Sequence, residues 1–158
     1  ATAFFVSSCS STIYIVRHAE KQSMGADPNL TAAGQTRAQQ LATLMANKNI
    51  SEVYSTNTNR TRQTAQPTAN ALSLTVRLYS NDTLSAFANR RLKPLGKNKF
   101  VVGHSNTILS IAQLLGATPT LTSIPENDYD NLLIVKRKRC WGKLKVTLTE
   151  TTYGAASP

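Results

Sequence analysis

Two short apolar runs, each followed by a histidine, constrain the fold of this chain more than any other feature. Residues 12–16 are mostly β-branched and lead into Arg17 and His18, and residues 100–102 lead into His104. Such runs are typical of strands that are buried on both faces of a parallel sheet. Open sheets of this kind place their chemistry just past the carboxyl ends of the strands. The two histidines are the only ones in the chain, so we expect them to meet at one site.

Strands and helices alternate along the rest of the chain. Strands are predicted at residues 12–16, 50–55, 74–78, 100–102, 132–135 and 144–149. Helices are predicted at residues 32–47 and 60–72, after a cap at residues 81–83, and after His104. This order predicts an α/β fold: a three-layer α/β/α sandwich with a mostly parallel central sheet and a C-terminal antiparallel hairpin.

The length of 158 residues suits one domain with a sizeable core. We assign residues 12–150 to that domain, residues 1–11 to an N-terminal arm and residues 151–158 to a tail that frays.

Right-handed crossovers bring the carboxyl ends of the parallel strands to one edge of the sheet. We therefore expect Arg17, His18, Arg60 and His104 to converge there.

Two histidines and two arginines at helix starts make a site for anions. Adjacent arginines would repel a metal cation, and the chain has only eight carboxylates, so we expect no metal and no cofactor. Metal-free phosphoryl transfer needs a nucleophile and fixed positive charge. A neutral imidazole supplies the nucleophile. Arg17 and Arg60 supply the positive charge, with a protonated His104 as a third cationic donor.

The chain is strongly basic, with 18 Lys and Arg residues and a formal net charge of +10. Such a field attracts nucleic acid, an acidic membrane face or small phosphorylated substrates. Interleaved aromatic residues and nucleic-acid reading motifs are absent from the sequence, so we expect no nucleic acid partner. We expect the basic run from Lys136 to Arg139 to form a solvated hairpin between the last two strands, with polyanion binding as the alternative.

Four motifs carry a family resemblance. They are Val-Arg-His-Ala-Glu-Lys at residues 16–21, Leu-Thr-Ala-Ala-Gly-Gln-Thr-Arg-Ala at residues 30–38, Tyr-Ser-Thr-Asn-Thr-Asn-Arg-Thr-Arg-Gln-Thr-Ala at residues 54–65, and Val-Gly-His-Ser-Asn-Thr at residues 102–107. Together and in this order they resemble the histidine phosphatase superfamily, also called phosphoglycerate mutase-like, in its short single-domain bacterial branch.

The resemblance implies a role for each matching residue. His18 becomes the nucleophile that forms a phosphohistidine, and Arg17, Arg60 and His104 bind the phosphoryl group. Water then hydrolyses the intermediate, so that no cofactor is needed. Further substrate contacts are expected from three polar residues at the rim of the pocket: Lys21, Ser105 and Asn106.

The proton donor for the leaving group is less clearly marked. Some branches of this family use an Asp directly after the second histidine, but here Ser105 follows His104. Asp82, just after the third predicted strand, is the first candidate, although it also fits a helix cap, and Glu20 is the second. If neither donates, the enzyme should favour good leaving groups such as phosphohistidine or aryl phosphates.

These features predict a metal-independent phosphatase that acts on a phosphomonoester or a phosphoprotein. One alternative is a phosphoglycerate-type mutase, although the short chain shows no obvious closing lid. Another is a basic, non-enzymatic module that binds polyanions.

The first ten residues suggest a cellular location. An apolar stretch at residues 1–6 is followed by small residues and Cys9, as at the end of a bacterial lipoprotein signal. We therefore expect an exported protein, periplasmic or anchored to the membrane through Cys9. A disordered or strand-like arm on a cytoplasmic protein is the alternative. The chain has two cysteines, Cys9 and Cys140, which are too few for a disulfide scaffold.

Overall fold

The computed structural model describes residues 9–158, in which one mixed sheet of six strands is covered by helices on both faces. The strands are Ser10–Arg17 (β1), Ile50–Thr56 (β2), Val76–Tyr79 (β3), Asn98–Gly103 (β4), Asn131–Cys140 (β5) and Lys143–Thr152 (β6). The α-helices are Ala32–Met45 (α1), Asn59–Ala71 (α2), Leu84–Phe87 (α3) and Ile108–Leu114 (α4). A 3₁₀ turn at Asn81–Thr83 precedes α3, and a π-helical turn at Ala88–Leu92 follows it.

The strand order across the sheet is β3-β2-β4-β1-β5-β6. The first four strands in this order are parallel, whereas β5 is antiparallel to both β1 and β6. The prediction of a mostly parallel sheet with a C-terminal antiparallel hairpin is therefore confirmed.

Each face of the sheet has its own apolar core. Alternate residues of β1 divide between the faces, because successive side chains in a strand point to opposite sides. Ile13 and Ile15 pack with α4 and the residues around α3, and Tyr14 and Val16 pack with α1 and α2. Because β1 lies between two strands and two helical layers, its carboxyl end is held on all sides.

Helix α1 is anchored to the loop that follows β1. Its N-cap, Thr31, accepts a hydrogen bond from the backbone N–H of Gly34, and the Thr31 N–H donates to the Glu20 carbonyl. A Cβ on Gly34 would lie 2.2 Å from the Glu20 carbonyl oxygen, so only glycine permits this close approach. The predicted start of the helix at residue 32 is correct, and its end at Met45 is two residues earlier than predicted.

The basic run from Lys136 to Arg139 lies inside β5, and the hairpin turn falls at Trp141 and Gly142. The predicted hairpin is present and Lys136, Lys138 and Arg139 are exposed, but the run lies within a strand rather than between the last two strands, and it is not solvated throughout. Arg137 is buried, and its guanidinium donates hydrogen bonds to the carbonyls of Leu115 and Lys93. These backbone oxygens replace the water molecules that would otherwise hydrate the guanidinium, and so they compensate for the cost of burying the charge.

Lys99, the second residue of β4, is a second buried cation. Its ammonium donates to the carbonyls of Leu92 and Pro94 at 3.1 and 2.7 Å. Burial lowers its pKa below the usual value for lysine.

The chain after residue 151 is held in place, and the prediction of a frayed tail is wrong. β6 continues to Thr152, and the ring of Tyr153 is buried in the core beside α1. Arg37 donates to the carbonyls of Tyr153 and Ala155, and the Ser157 N–H donates to the Asp130 carboxylate at 2.8 Å. The tail therefore braces the loop that precedes β5.

At the other end, β1 begins at Ser10, two residues earlier than predicted, and Cys9 is exposed. Residues 1–8, on which most of the lipoprotein signal prediction rests, lie outside the described residues. Within residues 9–158, no helix combines the length and apolar character that crossing a bilayer requires.

Candidate active site

The register between β1 and β4 brings the two histidines together. Arg17 is paired with Gly103 at the ends of these strands, so His18 and His104 are the next residues on each. The His18 N–H donates to the Gly103 carbonyl at 2.9 Å. The two imidazole centroids are 5.6 Å apart, with the rings at 69° to each other. One site therefore contains both histidines.

His18 is held as a neutral imidazole with one nitrogen free to react. Its Nδ1 lies 2.8 Å from the Ala19 carbonyl oxygen, which can only accept, so the proton sits on Nδ1. The lone pair is therefore on Nε2. Burial, together with the charges of Arg17 and Arg60, lowers the pKa of His18 to about 3. The hydrogen bond to the Ala19 carbonyl favours the protonated imidazole, but burial and the arginine charges outweigh it. The imidazole of His18 therefore stays neutral, and so nucleophilic, far into the acid range.

His104 is fixed by partners on both of its nitrogens. Arg60 Nη2 approaches Nδ1 at 3.5 Å and can only donate, so Nδ1 is the acceptor and the proton lies on Nε2. That N–H donates to Thr56 Oγ1 at 2.8 Å. Burial, followed by the charges of Arg60 and Arg17, lowers the pKa of His104 to about 4. His104 is therefore a neutral imidazole in this structure, and its role as a third cationic donor to a phosphoryl group stays a prediction.

Arg17 is almost completely buried, with 1% of its surface exposed. Its Nη1 donates to the carbonyls of Pro125 and Asp128, both at 2.9 Å, and its Nη2 lies 3.3 Å from a Glu126 carboxylate oxygen. The guanidinium carbon sits 4.3 Å from the ring centroid of Tyr129, a cation–π distance. The loop before β5 therefore fixes the orientation of this arginine.

Arg60 lies in the first turn of α2, whose N-cap is Thr58. Its Nη1 is 3.8 Å from an Asp27 carboxylate oxygen. The Nε atoms of Arg60 and Arg17 are both buried and have no hydrogen-bond partner among the described residues. Buried charged donors without an acceptor are costly, so an anion with several oxygens suits this site.

The sequence of residues 13–84 matches the model of the histidine phosphatase superfamily, branch 1. The matched segment contains Arg17, His18 and Arg60, and His104 comes beside them through the fold. Over this segment the chain is similar to the histidine phosphatase superfamily.

Several solved structures of similar fold align with about nine-tenths of this chain. A SixA protein from Nakamurella multipartitia has 18% identity and a TM-score of 0.64, over 92% of this chain and 98% of that chain. A protein histidine phosphatase SixA in complex with tungstate has 17% identity and a TM-score of 0.63, over 89% and 96%. A phosphoserine phosphatase from Entamoeba histolytica, in complex with 3-phosphoglyceric acid, has 17% identity and a TM-score of 0.61, over 92% and 97%. No curated protein matches the sequence significantly.

Glu20, the second candidate for the proton donor, is committed to another contact. Arg37 Nε and Nη2 donate to its carboxylate at 2.8 to 3.0 Å. Burial alone would raise the pKa of Glu20, but the hydrogen bonds and charge of Arg37 outweigh it and leave the pKa below its usual value. Glu20 is therefore an ionised structural carboxylate, and its prediction as a proton donor is wrong.

Asp82 lies in the 3₁₀ turn that follows β3, at the edge of the sheet where the parallel strands end. Its backbone N–H donates to Ser80 Oγ, which caps the turn. Within residues 9–158, its exposed carboxylate makes no hydrogen bond or ion pair. The structure therefore leaves its role as proton donor a prediction.

The three predicted substrate contacts fall in two places. Ser105 and Asn106 form the turn after His104 and line a cavity of about 450 Å³ beside α4. The opposite wall of this cavity includes Thr122 and Ser123. Lys21 lies in the loop after β1, where its backbone bridges to Leu30. This cavity adjoins His104 through the chain, but neither histidine lines it.

Sequence reasoning missed several residues that shape the site. Thr56, one residue past the strand predicted at residues 50–55, ends β2 and accepts a hydrogen bond from His104. Tyr129 lies outside every predicted strand and helix, but its ring centroid is 6.0 Å from that of His18. Nothing in the local sequence marks either residue, because each acts through a contact with a distant part of the chain. No cluster of three or more metal-ligating side chains occurs within the described residues.

Proposed function

We propose that this protein is a metal-independent phosphatase that forms a phosphohistidine on His18 Nε2 and then hydrolyses it. The observation that carries the proposal is the hydrogen bond from His18 Nδ1 to the Ala19 carbonyl. This bond leaves the Nε2 lone pair available beside Arg17 and Arg60, with the imidazole neutral at physiological pH.

The reaction has two displacements at phosphorus. In the first, Nε2 of His18 attacks, the N–P bond forms, and the bond from phosphorus to the leaving group breaks. In the second, water attacks, the N–P bond breaks, and inorganic phosphate leaves with the water oxygen. Arg17 and Arg60 neutralise the phosphoryl oxygens in both steps. A phosphoryl dianion beside His104 raises the pKa of that imidazole, so His104 becomes a donor when substrate is bound.

We propose a phosphoprotein or a phosphomonoester with a good leaving group as the substrate. Glu20 is engaged by Arg37 and so gives the leaving group no proton; unless Asp82 supplies one, the enzyme favours phosphohistidine and aryl phosphates. The cavity lined by Ser105 and Asn106, which directly follow His104, offers room for a bulky substrate. Neighbours of similar fold include proteins named as a protein histidine phosphatase and a glucosyl-3-phosphoglycerate phosphatase.

The test is to trap the phosphoenzyme with a phosphohistidine protein or p-nitrophenyl phosphate and to map the label by mass spectrometry. We expect an acid-labile, base-stable label on His18, and a loss of kcat/KM of about a thousandfold or more in His18→Ala. His104→Asn is the matched control: it keeps the nucleophile, so the label should still form on His18, but slowly.

The proposed chemistry also needs no metal, so EDTA should leave the rate unchanged. A label on another residue, substantial activity in His18→Ala, or a large loss with EDTA would overturn the mechanism. Export and a tether through Cys9 remain predictions from the sequence.

A further inference from the structure

The end of the β5–β6 hairpin, residues 136–145, carries a concentrated positive charge that the phosphatase chemistry does not use. Lys138 lies directly opposite Lys145, and Cys140 lies opposite Lys143. Paired residues share one face of a sheet, as do residues two apart on a strand. Lys136, Lys138, Lys143 and Lys145 therefore share one face, and we call them the lysine face.

The lysine face has no compensating charge. All four side chains are exposed, and none forms an ion pair within residues 9–158. No Asp or Glu occurs between residues 131 and 149. Like charges directly opposite each other destabilise a strand pair, so this arrangement works against the stability of the hairpin and suits an anionic partner.

The turn of the hairpin presents an exposed aromatic ring. The side chain of Trp141 is fully exposed, and Leu144 beside it is 40% exposed. Trp141 also has a φ of 51°, in the left-handed region, where a bulky residue is less stable than Asn or Gly. The residue therefore contributes neither burial nor turn stability to the folded chain.

The hairpin tip and the active site lie at opposite ends of the sheet. β5 is antiparallel to β1, and the Arg139 N–H donates to the Cys9 carbonyl at 2.8 Å. From that end, β1 extends for about 23 Å, at about 3.3 Å per residue, to Arg17 and His18. A partner bound at the hairpin tip would therefore leave the phosphoryl site open to solvent.

We propose that the hairpin tip docks on an anionic lipid surface. Trp141 enters the headgroup region, which is where the amphipathic indole ring prefers to lie. The lysine face contacts lipid phosphates and is attracted by the negative surface potential. A nucleic acid fits less well, because a single aromatic residue at a turn offers no series of stacking platforms. Docking does not depend on the chemistry of His18.

Trp141 is the only tryptophan in the chain, so its fluorescence reports on the hairpin tip alone. We expect the emission to shift to shorter wavelength when the protein is mixed with phosphatidylglycerol–phosphatidylcholine vesicles at physiological salt. Pure phosphatidylcholine vesicles should give no shift. Raising the salt concentration should reverse the binding, because screening weakens the attraction to the headgroups.

Co-sedimentation with the same vesicles measures the contribution of each lysine. Lys138→Ser should lower the partition coefficient about fivefold, and Lys138→Ser/Lys145→Ser about thirtyfold. The double variant removes a like-charge pair and should fold at least as well as the parent. Arg62→Gln on α2 removes one exposed charge elsewhere and should change partition by less than twofold. Phosphatase activity without vesicles should be the same in the parent and both lysine variants.

Three results would overturn the proposal. One is the absence of partition to anionic vesicles, and another is equal partition by the parent and the double variant. The third is tighter binding to duplex DNA than to vesicles at physiological salt, which would identify a nucleic-acid surface instead. Each result would leave the proposed phosphatase mechanism standing, because the phosphoenzyme assay is independent of lipid.

Discussion

The hydroxyl of Thr56 offers a test of how the second histidine is held. It accepts a hydrogen bond from His104 Nε2 at 2.8 Å and lies 2.9 Å from Thr61 Oγ1, and all three side chains are buried. Thr56→Val keeps the shape of the side chain but leaves the His104 N–H without an acceptor. An unsatisfied buried donor costs about 1–3 kcal/mol, which corresponds to a decrease in Tm of about 3–10 °C at this chain length.

The same substitution should impair catalysis. Without Thr56 as an acceptor, His104 can shift its proton to Nδ1, where it would face the donor Nη2 of Arg60. Loss of an orienting contact of this kind is typically a 10- to 100-fold effect, so kcat/KM for p-nitrophenyl phosphate should fall by about that factor. Thr56→Ser, which keeps the hydroxyl, should retain most of the activity.

Thr68 provides the matched control, since it is equally buried but its Oγ1 has no hydrogen-bond partner among residues 9–158. Thr68→Val should therefore leave kcat/KM unchanged and raise the free energy of unfolding by up to about 1 kcal/mol. Urea denaturation and steady-state kinetics on the parent, Thr56→Val, Thr56→Ser and Thr68→Val test whether the Thr56 hydroxyl holds His104. If Thr56→Val matched the parent in both stability and kcat/KM, the account of His104 given above would be wrong.

Two further predictions follow from the titratable groups. The pKa values of His18 and His104, about 3 and about 4, lie below the unfolded value near 6.5, so the unfolded chain binds more protons between these limits. The free energy of unfolding should therefore fall as pH decreases from 7 to 4.5, by on the order of 3–5 kcal/mol. Urea titrations at each pH measure this fall. No fall in the parent, or an equal fall in the double variant His18→Gln/His104→Gln, would contradict the prediction. If Asp82 protonates the leaving group, Asp82→Asn should slow aliphatic phosphates about tenfold or more but leave aryl phosphates nearly unchanged. Equal kcat/KM losses on both would make Asp82 only a cap of its turn.

Local sequence was sufficient to predict most of the strands and helices. The starts of α1 and α2 were predicted to within one residue, because capping threonines and apolar spacing act over a few neighbouring residues. The meeting of His18 and His104 was also predictable, because parallel strands joined by right-handed crossovers end at a common edge.

The environment of each site residue was not predictable in this way. The carbonyls that hold Arg17 belong to residues 108 and 111 positions away, and the carboxylate of Glu20 is engaged by Arg37, 17 positions away. Whether a carboxylate is a proton donor or a structural partner depends on such contacts. The sequence alone therefore gave candidates for the proton donor and no means of choosing between them.

The basic run in β5 also shows which properties follow from the sequence and which depend on the fold. Its composition suggested a solvated hairpin, but pairing with β1 and β6 places it in the sheet, with Arg137 buried and Lys138 exposed. The sequence by itself determined the carboxyl ends of β1 and β4 to within one residue, the histidines that follow them, and the net charge. Only the tertiary structure decided which of these charges are desolvated and fixed by backbone oxygens and which remain free to meet an anion, because that depends on contacts between segments far apart in the chain.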